Sequence, residues 1–191
     1  LTPAAETAFS LLNSGFRMRS VQTNHLQLRT KTLRTSAFSS KGGSTPDNSS
    51  KTNNSQAISY AAMGINGWAD SVGQSGRFKG FEGSRYDQDI YGISLGIDKQ
   101  FREKDAVWYV GVRGQYTKAE QKLNDGIGRG RGNSRGLALY GVWTHQSGWY
   151  ASGIVSADQY HQSLTANQSD GSTASGHYKV WGYGANLEVG K

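Results

Sequence analysis

The sequence predicts an all-β fold, an antiparallel up-and-down transmembrane β-barrel preceded by an N-terminal α-helix. Three observations predict it. From Ile58 onward apolar residues recur at every second position, the period of a strand with one apolar face. The connections between these runs go long, short, long, short, long, at residues 73–85, 102–105, 119–134, 146–148 and 163–176. Barrels of the outer-membrane type have this rhythm, with short turns facing the periplasm and longer loops facing outside. Third, hydrophobic residues make up 35% of the 191 and mean hydropathy is -0.63, which is polar for a soluble core of this size. A barrel with a wet lumen needs an apolar residue only at alternate strand positions. No apolar run approaches the roughly 20 residues of a membrane-crossing helix, so crossing by helix is excluded.

Residues 1–34 read as a helix. Phe9, Leu12, Phe16, Leu26 and Leu33 recur at roughly helical spacing, and no proline follows Pro3 in this stretch. Its second half is one-sidedly basic, with Arg17, Arg19, Arg29, Lys31 and Arg34 and no acid after Glu6. Residues 35–56 are rich in Ser, Asn, Lys and Gly and are expected to be a flexible linker.

Six strands are expected in residues 57–191, at about 58–72, 86–101, 106–118, 135–146, 148–162 and 177–190. In the second, Tyr91, Ile93, Leu95 and Ile97 alternate with Gly92, Ser94, Gly96 and Asp98. In the sixth, Trp181, Tyr183, Ala185, Leu187 and Val189 alternate with Gly182, Gly184, Asn186 and Glu188. The third sets Val110, Val112 and Tyr116 against Arg113, Gln115 and Thr117. In a barrel the apolar set meets lipid and the small polar set lines the lumen. The expected lumenal residues are therefore Gly92, Ser94, Gly96, Asp98, Arg113, Gly182, Gly184, Asn186 and Glu188. Aromatics fall in two bands. Phe101, Trp108, Tyr109, Trp143, Trp149 and Tyr150 lie beside the tight turns, with Tyr60 at the same level. Tyr86, Tyr116, Tyr160 and Tyr178 lie beside the long loops. Such bands are expected at the two membrane interfaces.

With 0 cysteines the chain has neither a disulfide framework nor a thiolate metal site, and its four histidines show no metal spacing. No metal or cofactor is expected. The formal charge of +7 points to an anionic partner. The run Gly126–Gly132 lacks the strand and helix a phosphate loop needs, and lacks the aromatics an RNA-binding segment stacks with. Nucleic acid is therefore not expected. As an outer loop its arginines would meet solvent or lipopolysaccharide phosphates. Asp158 and His161 stand near serines, but nothing has the form of a nucleophile elbow, so no enzyme is expected. The start at Leu1, without a signal segment, suggests a longer precursor. The stop at Lys191 leaves two unpaired strand edges, so further strands are expected.

Several stretches carry a family likeness. They are Trp68, the run Tyr86–Asp98, Trp108–Gly111, Leu139–Tyr140, Ser147–Tyr150 and Gly184–Gly190. In order and spacing they resemble the C-terminal translocator of autotransporters, the type V secretion proteins of the bacterial outer membrane. The stretch Asn24–Arg29 with Leu33–Arg34 resembles the helix that fills the pore in these proteins. The resemblance implies a twelve-stranded barrel inserted by the barrel assembly machinery, and an N-terminal passenger carried to the cell surface. The chain would hold the pore helix (1–34), the linker (35–56) and the first half of the barrel (57–191). Arg17, Arg19, Arg29 and Arg34 are the basic residues of the helix. Charges in a narrow pore must be paired, so Arg29 or Arg34 is expected to meet Asp98 or Glu188. Some members cut this helix at an Asn-Asn pair. Here the pair is Asn24-His25, which makes Asn24 a candidate for self-cleavage but an uncleaved plug the plainer expectation. Two alternatives stay open: a small outer-membrane barrel or adhesin without a passenger, and a soluble β-sandwich binding module.

Overall fold

A computed structural model describes residues 3–39, 56–60, 64–79, 85–123, 128–168 and 170–191. One helix, α1 (Pro3–Ser39), precedes seven strands: β1 (Gln56–Tyr60), β2 (Ile65–Lys79), β3 (Arg85–Arg102), β4 (Ala106–Leu123), β5 (Gly128–His145), β6 (Tyr150–Asn167) and β7 (Thr173–Gly190). Every strand pairs antiparallel with its chain neighbour in one sheet of order β1-β2-β3-β4-β5-β6-β7. The six long strands β2–β7 are the up-and-down array the alternation predicts. The short β1 is additional. The expected first strand, 58–72, straddles the β1–β2 connection, where Gly64 takes a left-handed φ of 63° and accepts the Gln100 N–H at 2.8 Å.

The strands are longer than the pattern suggested. Pairing continues out to Lys79↔Arg85, Lys122↔Arg129 and Asn167↔Thr173, so most of the expected loops 73–85, 119–134 and 163–176 are strand. The strands run to Lys79, Leu123 and Asn167 and resume at Arg85, Gly128 and Thr173, with a turn at Asp170 and Gly171. Polar residues on both faces read as loop, yet two chains that leave the membrane together satisfy each other's backbone groups and stay paired. In that turn Asp170 accepts the Ser172 hydroxyl at 2.6 Å and its N–H at 2.9 Å, which holds the carboxyl below the usual carboxylate range. At the other end the tight turns are as expected. The Glu103 N–H reaches the Ala106 carbonyl at 2.9 Å, and Gly148 turns with φ 93°.

Residue alternation decides the faces, and their polarity is inverted relative to a soluble sheet. Leu95 is 58% exposed, Leu139 63% and Leu187 78%, while Asp98 and Arg113 are 2% exposed. Ile93, Ile97, Val110, Leu137, Val155 and Val189 extend the outward apolar belt across β3–β7. The opposite face packs on α1. No helix of the described residues is long and apolar enough to cross a membrane, which says nothing against a β-barrel.

The aromatic bands sort by the same parity. Phe101, Trp108 and Trp149 stand outward beside the tight turns, and the Trp108 and Trp143 rings lie 6.0 Å apart. Tyr109 is buried on the helix side. At the far end only Tyr116 of the expected set is outward. Tyr86 and Tyr160 are buried towards α1, Tyr178 bonds to the inward Gln162, and the outer rim is Tyr91, Tyr116 and Trp181. Proximity to a loop placed these tyrosines at the right height, but only odd or even position along the strand assigns a side. The side chain of Tyr60 lies outside the described residues.

The helix runs five residues past the expected boundary, to Ser39, and the rest of the expected linker, 40–55, lies outside the described residues. Its buried stripe is Thr7, Leu11, Ser14, Met18, Gln22, Leu26, Thr30, Leu33 and Ala37. Phe9, Leu12 and Phe16 lie off this stripe, at 52%, 49% and 73% exposure, and Leu12 and Phe16 border a recess with Tyr178 and Val180 of β7. The expected apolar spacing thus joined two different stripes. A partner surface of glycines and polar side chains does not require the helix to present its most hydrophobic face.

The helix–sheet interface as a candidate functional site

The face of the sheet that receives α1 is built from small residues and from polar groups aimed inward. The N-terminal end of α1 lies against the start of β5 at Gly128, and its C-terminal end lies at the tight turns. Thr7 packs on Gly128, Leu11 on Gly130 and Met18 on Gly132, while Ala37 and Phe38 border a recess with Arg102–Val107. In β5 Gly128, Gly130 and Gly132 face the helix and the intervening Arg129 and Arg131 face outward. The Gly/Arg run that looked like a loop is a strand of period two. Its glycines remove the Cβ atoms that would hold the helix away.

Hydrogen bonds tie the upper and middle helix to this wall. Gln88 Nε2 donates to Ser14 Oγ at 2.8 Å, and Gln121 Nε2 donates to the Ser10 carbonyl at 3.0 Å. Gln22 Nε2 donates to Ser134 Oγ at 2.6 Å and to Thr117 Oγ1 at 3.1 Å. Arg113 Nη1 donates to the Gln22 carbonyl at 2.8 Å. Sequence spacing placed Arg113 on this wall but could not supply a backbone carbonyl as its partner. Arg17 lies over the Phe78 ring at 3.7 Å, and Arg19 bonds to the Tyr183 carbonyl beside Gly184.

The lower helix is held by charge. Arg29 donates from Nε and Nη2 to Asp98 Oδ2 at 3.0 and 2.7 Å. The same carboxylate accepts the Tyr140 hydroxyl at 2.9 Å and the Asn66 amide at 3.3 Å, and Trp68 Nε1 donates to Tyr140 at 2.9 Å. Arg34 donates to Glu188 Oε1 at 2.9 Å over the Tyr150 ring, whose hydroxyl donates to that same oxygen at 3.0 Å. One turn above Arg29, towards Gln22, His25 pairs with Asp70.

The expected residues divide as follows. Asp98, Arg113 and Glu188 reach the helix, and Gly184 and Gly182 give room to Arg19. Gly92 and Gly96 sit on the same face, where a Cβ would meet Thr117 and Trp68 in turn. Ser94 shares the face, and Asn186 is exposed. Asn24 is exposed on the helix, away from the sheet. Asp70, Tyr140, Gln22 and Ser134 were missed. Asp70 is legible only once Trp68 is assigned inward, because positions 68 and 70 share a face. Asp158 is buried on the helix side with Gln115 Nε2 at 2.5 Å, whereas His161 stands at an outward position of the same strand, so the two form no catalytic pair. Among the described residues no cluster could hold a metal.

Comparison with known proteins agrees with this geometry. Residues 67–191 match the family model described as Autotransporter beta-domain. The chain is 30% identical over 123 residues to YaiT of Salmonella typhimurium, covering 63% of this chain and 12% of that protein. It is 27% identical over 124 residues to the pertactin autotransporter of Bordetella bronchiseptica, covering 65% and 13%. The crystal structure of the beta domain of the Bordetella autotransporter BrkA has the same fold, with a TM-score of 0.55 at 23% identity, over 64% of this chain and 48% of that one. The chain thus spans 12% and 13% of the length of the two curated relatives.

Proposed function

The chain belongs to the autotransporter beta-domain family, an outer-membrane translocator and not a catalyst, and from that premise we propose that it anchors and exports an N-terminal passenger to the cell surface. The observation that carries this is the seating of α1. It runs along the sheet from the long-hairpin end to the tight-turn end and is bonded to the wall at every level. Chain upstream of α1 leaves at the long-hairpin end, which barrels of this kind turn outward. The expected lumenal residues, from Gly92 to Glu188, then act as the seat of the plug, and Arg17, Arg19, Arg29 and Arg34 as its fasteners. The partners implied are the passenger, the barrel assembly machinery and outer-membrane lipid with lipopolysaccharide; nucleic acid is not among them.

The test places an epitope tag upstream of Leu1 in the full-length protein and treats intact cells with protease. The expected result is loss of the tag while the β-domain persists in the outer membrane. A tag that stays protected until the outer membrane is permeabilised overturns the reading.

A further inference from the structure

The outward face carries a charge pattern that the pore does not use. Pairing Lys118↔Asn133, Asn133↔His161 and His161↔Lys179 sets these residues at one height across β4–β7. Arg131 and Arg135 flank Asn133 on the same face of β5, and both are exposed, as are Lys118 and Lys179. The acids of β5–β7 are Asp158 and Glu188, and both point to the helix side. Outward, these three strands therefore carry cations without acids. Glu120 faces Arg131 from β4, and Asp89 faces Glu120 from β3, so the basic field ends at the β4 edge. At the tight turns the signs mix instead, with Glu103 and Asp105 among Arg102 and Lys104.

Height and spacing narrow the occupant. Pairing of Tyr116 with Arg135, Arg135 with Gln159 and Gln159 with Trp181 places the aromatic rim one step below the lysine row, and Leu137 and Leu139 continue downward into the apolar belt. A soluble polyanion would leave that rim uncovered; a lipid headgroup brings its own acyl chains to cover it. Lys118 and Lys179 stand three strands apart, roughly 14 Å at the usual strand spacing. One phosphate does not bridge that distance, whereas a headgroup with a phosphate at each end does. Arginine adds a planar fork suited to phosphate.

We propose that the outward face of β4–β7 above the aromatic rim binds a bis-phosphorylated glycolipid of the lipid A type. Lys118, Arg131 and Lys179 take the phosphates, and the apolar belt below takes the acyl chains. The assignment to the outer leaflet rests on the orientation given under the proposed function.

The experiment uses the full-length protein folded in detergent micelles, with heat-modifiable mobility as the check that each variant is folded. Bis-phosphorylated lipid A is titrated and bound lipid is counted by native mass spectrometry. A K118Q/R131Q/K179Q variant is expected to bind at least tenfold more weakly. A K99Q/R102Q/K104Q variant, with the same loss of charge at the other end, is expected to bind as the parent does. Lipid A lacking one phosphate is expected to bind more weakly, and inorganic phosphate not to compete. Equal losses in both variants, no loss in the first, or equal binding of phosphatidylglycerol overturns the proposal. Labelling of Lys179→Cys on intact cells tests the orientation separately. Protection there, with the strip still binding in micelles, sinks the outward orientation and with it the outer-leaflet partner.

Discussion

Arg29 of the helix and Asp98 of β3 form a two-donor ion pair, at 3.0 and 2.7 Å, in which the acid's side chain is 0% exposed and the arginine's 18%. The burial of this carboxylate is compensated by the guanidinium, a tyrosine hydroxyl and an amide, all of which bond to it. Removing one partner strands the other. Asp98→Ala is expected to cost about 3 kcal/mol in urea unfolding of the folded protein. Replacing both partners, in Arg29→Met with Asp98→Leu, is expected to cost less than the single change. A single variant as stable as the parent would falsify the pairing as an anchor.

Glu188 should behave differently. Its side chain is 38% exposed and that of Arg34 is 22%, so solvent already screens the pair. Glu188→Ala is expected to lower stability by no more than about 1 kcal/mol. A loss as large as that of Asp98→Ala would show the lower pore to be drier than its exposure indicates.

Helix seating depends on absent side chains. A Cβ at Gly130 would stand 2.5 Å from a terminal methyl of Leu11, whereas at Gly73 it would meet nothing within 4 Å. Gly130→Val is expected to cost about 1–3 kcal/mol by overpacking and to raise single-channel conductance in planar bilayers as the helix shifts. Gly73→Val is the control, with no change in conductance expected. Equal conductance in both would mean that β5 does not set the position of the plug.

The apolar belt predicts a cost that depends on depth. Leu139→Arg, in mid-belt, is expected to destabilise by about 2–4 kcal/mol, and Ser175→Arg, beyond the aromatic rim on the same face, by about 0–1. Refolding into liposomes with urea titration measures both. Equal costs at the two positions would place the membrane elsewhere on the strands.

Asn24 faces away from the sheet, and the next residue, His25, is tied to Asp70. An uncleaved helix is the expected state. Intact-mass measurement of the protein extracted from outer membranes should show the Asn24-His25 bond whole, and Asn24→Ala should leave the mass pattern unchanged apart from the substitution itself. A fragment beginning at His25 would reverse this.

Much of the helix-facing side of the sheet was legible in the sequence. Period two in Tyr91–Asp98 and Trp181–Val189 assigns a face to each residue, and it put Asp98, Arg113, Gly184 and Glu188 towards the lumen. The sequence narrowed the partners of Arg29 and Arg34 to Asp98 and Glu188, and the structure pairs Arg29 with Asp98 and Arg34 with Glu188. Which acid each takes, and the partner of Arg113, were not legible. Arg29 meets Asp98 and Arg113 meets a backbone carbonyl because of where a 37-residue helix lies against the sheet, and that register has no signature in either segment alone. The helix itself was legible, but the stripe it buries was not, for a related reason. Phe9, Leu12 and Phe16 have helical spacing, but whether an apolar stripe faces the wall depends on what the wall offers.

Strand extent marks the same boundary between sequence and structure. Hydrophobic alternation is visible only where one face meets lipid, so the sequence could locate the membrane band and count the long strands. Beyond that band both faces are wet and the alternation vanishes, although the backbone ladder continues to Lys122 and Arg129. By itself the sequence determined a barrel-type fold, its outward apolar face and its polar face, its family likeness and a basic helix that needs acids. Only the tertiary structure decided which acid each arginine takes, how far the strands pair and which way the Gly/Arg run points. Those outcomes arise from contacts between segments far apart in the chain, and side-chain periodicity within one segment does not encode them.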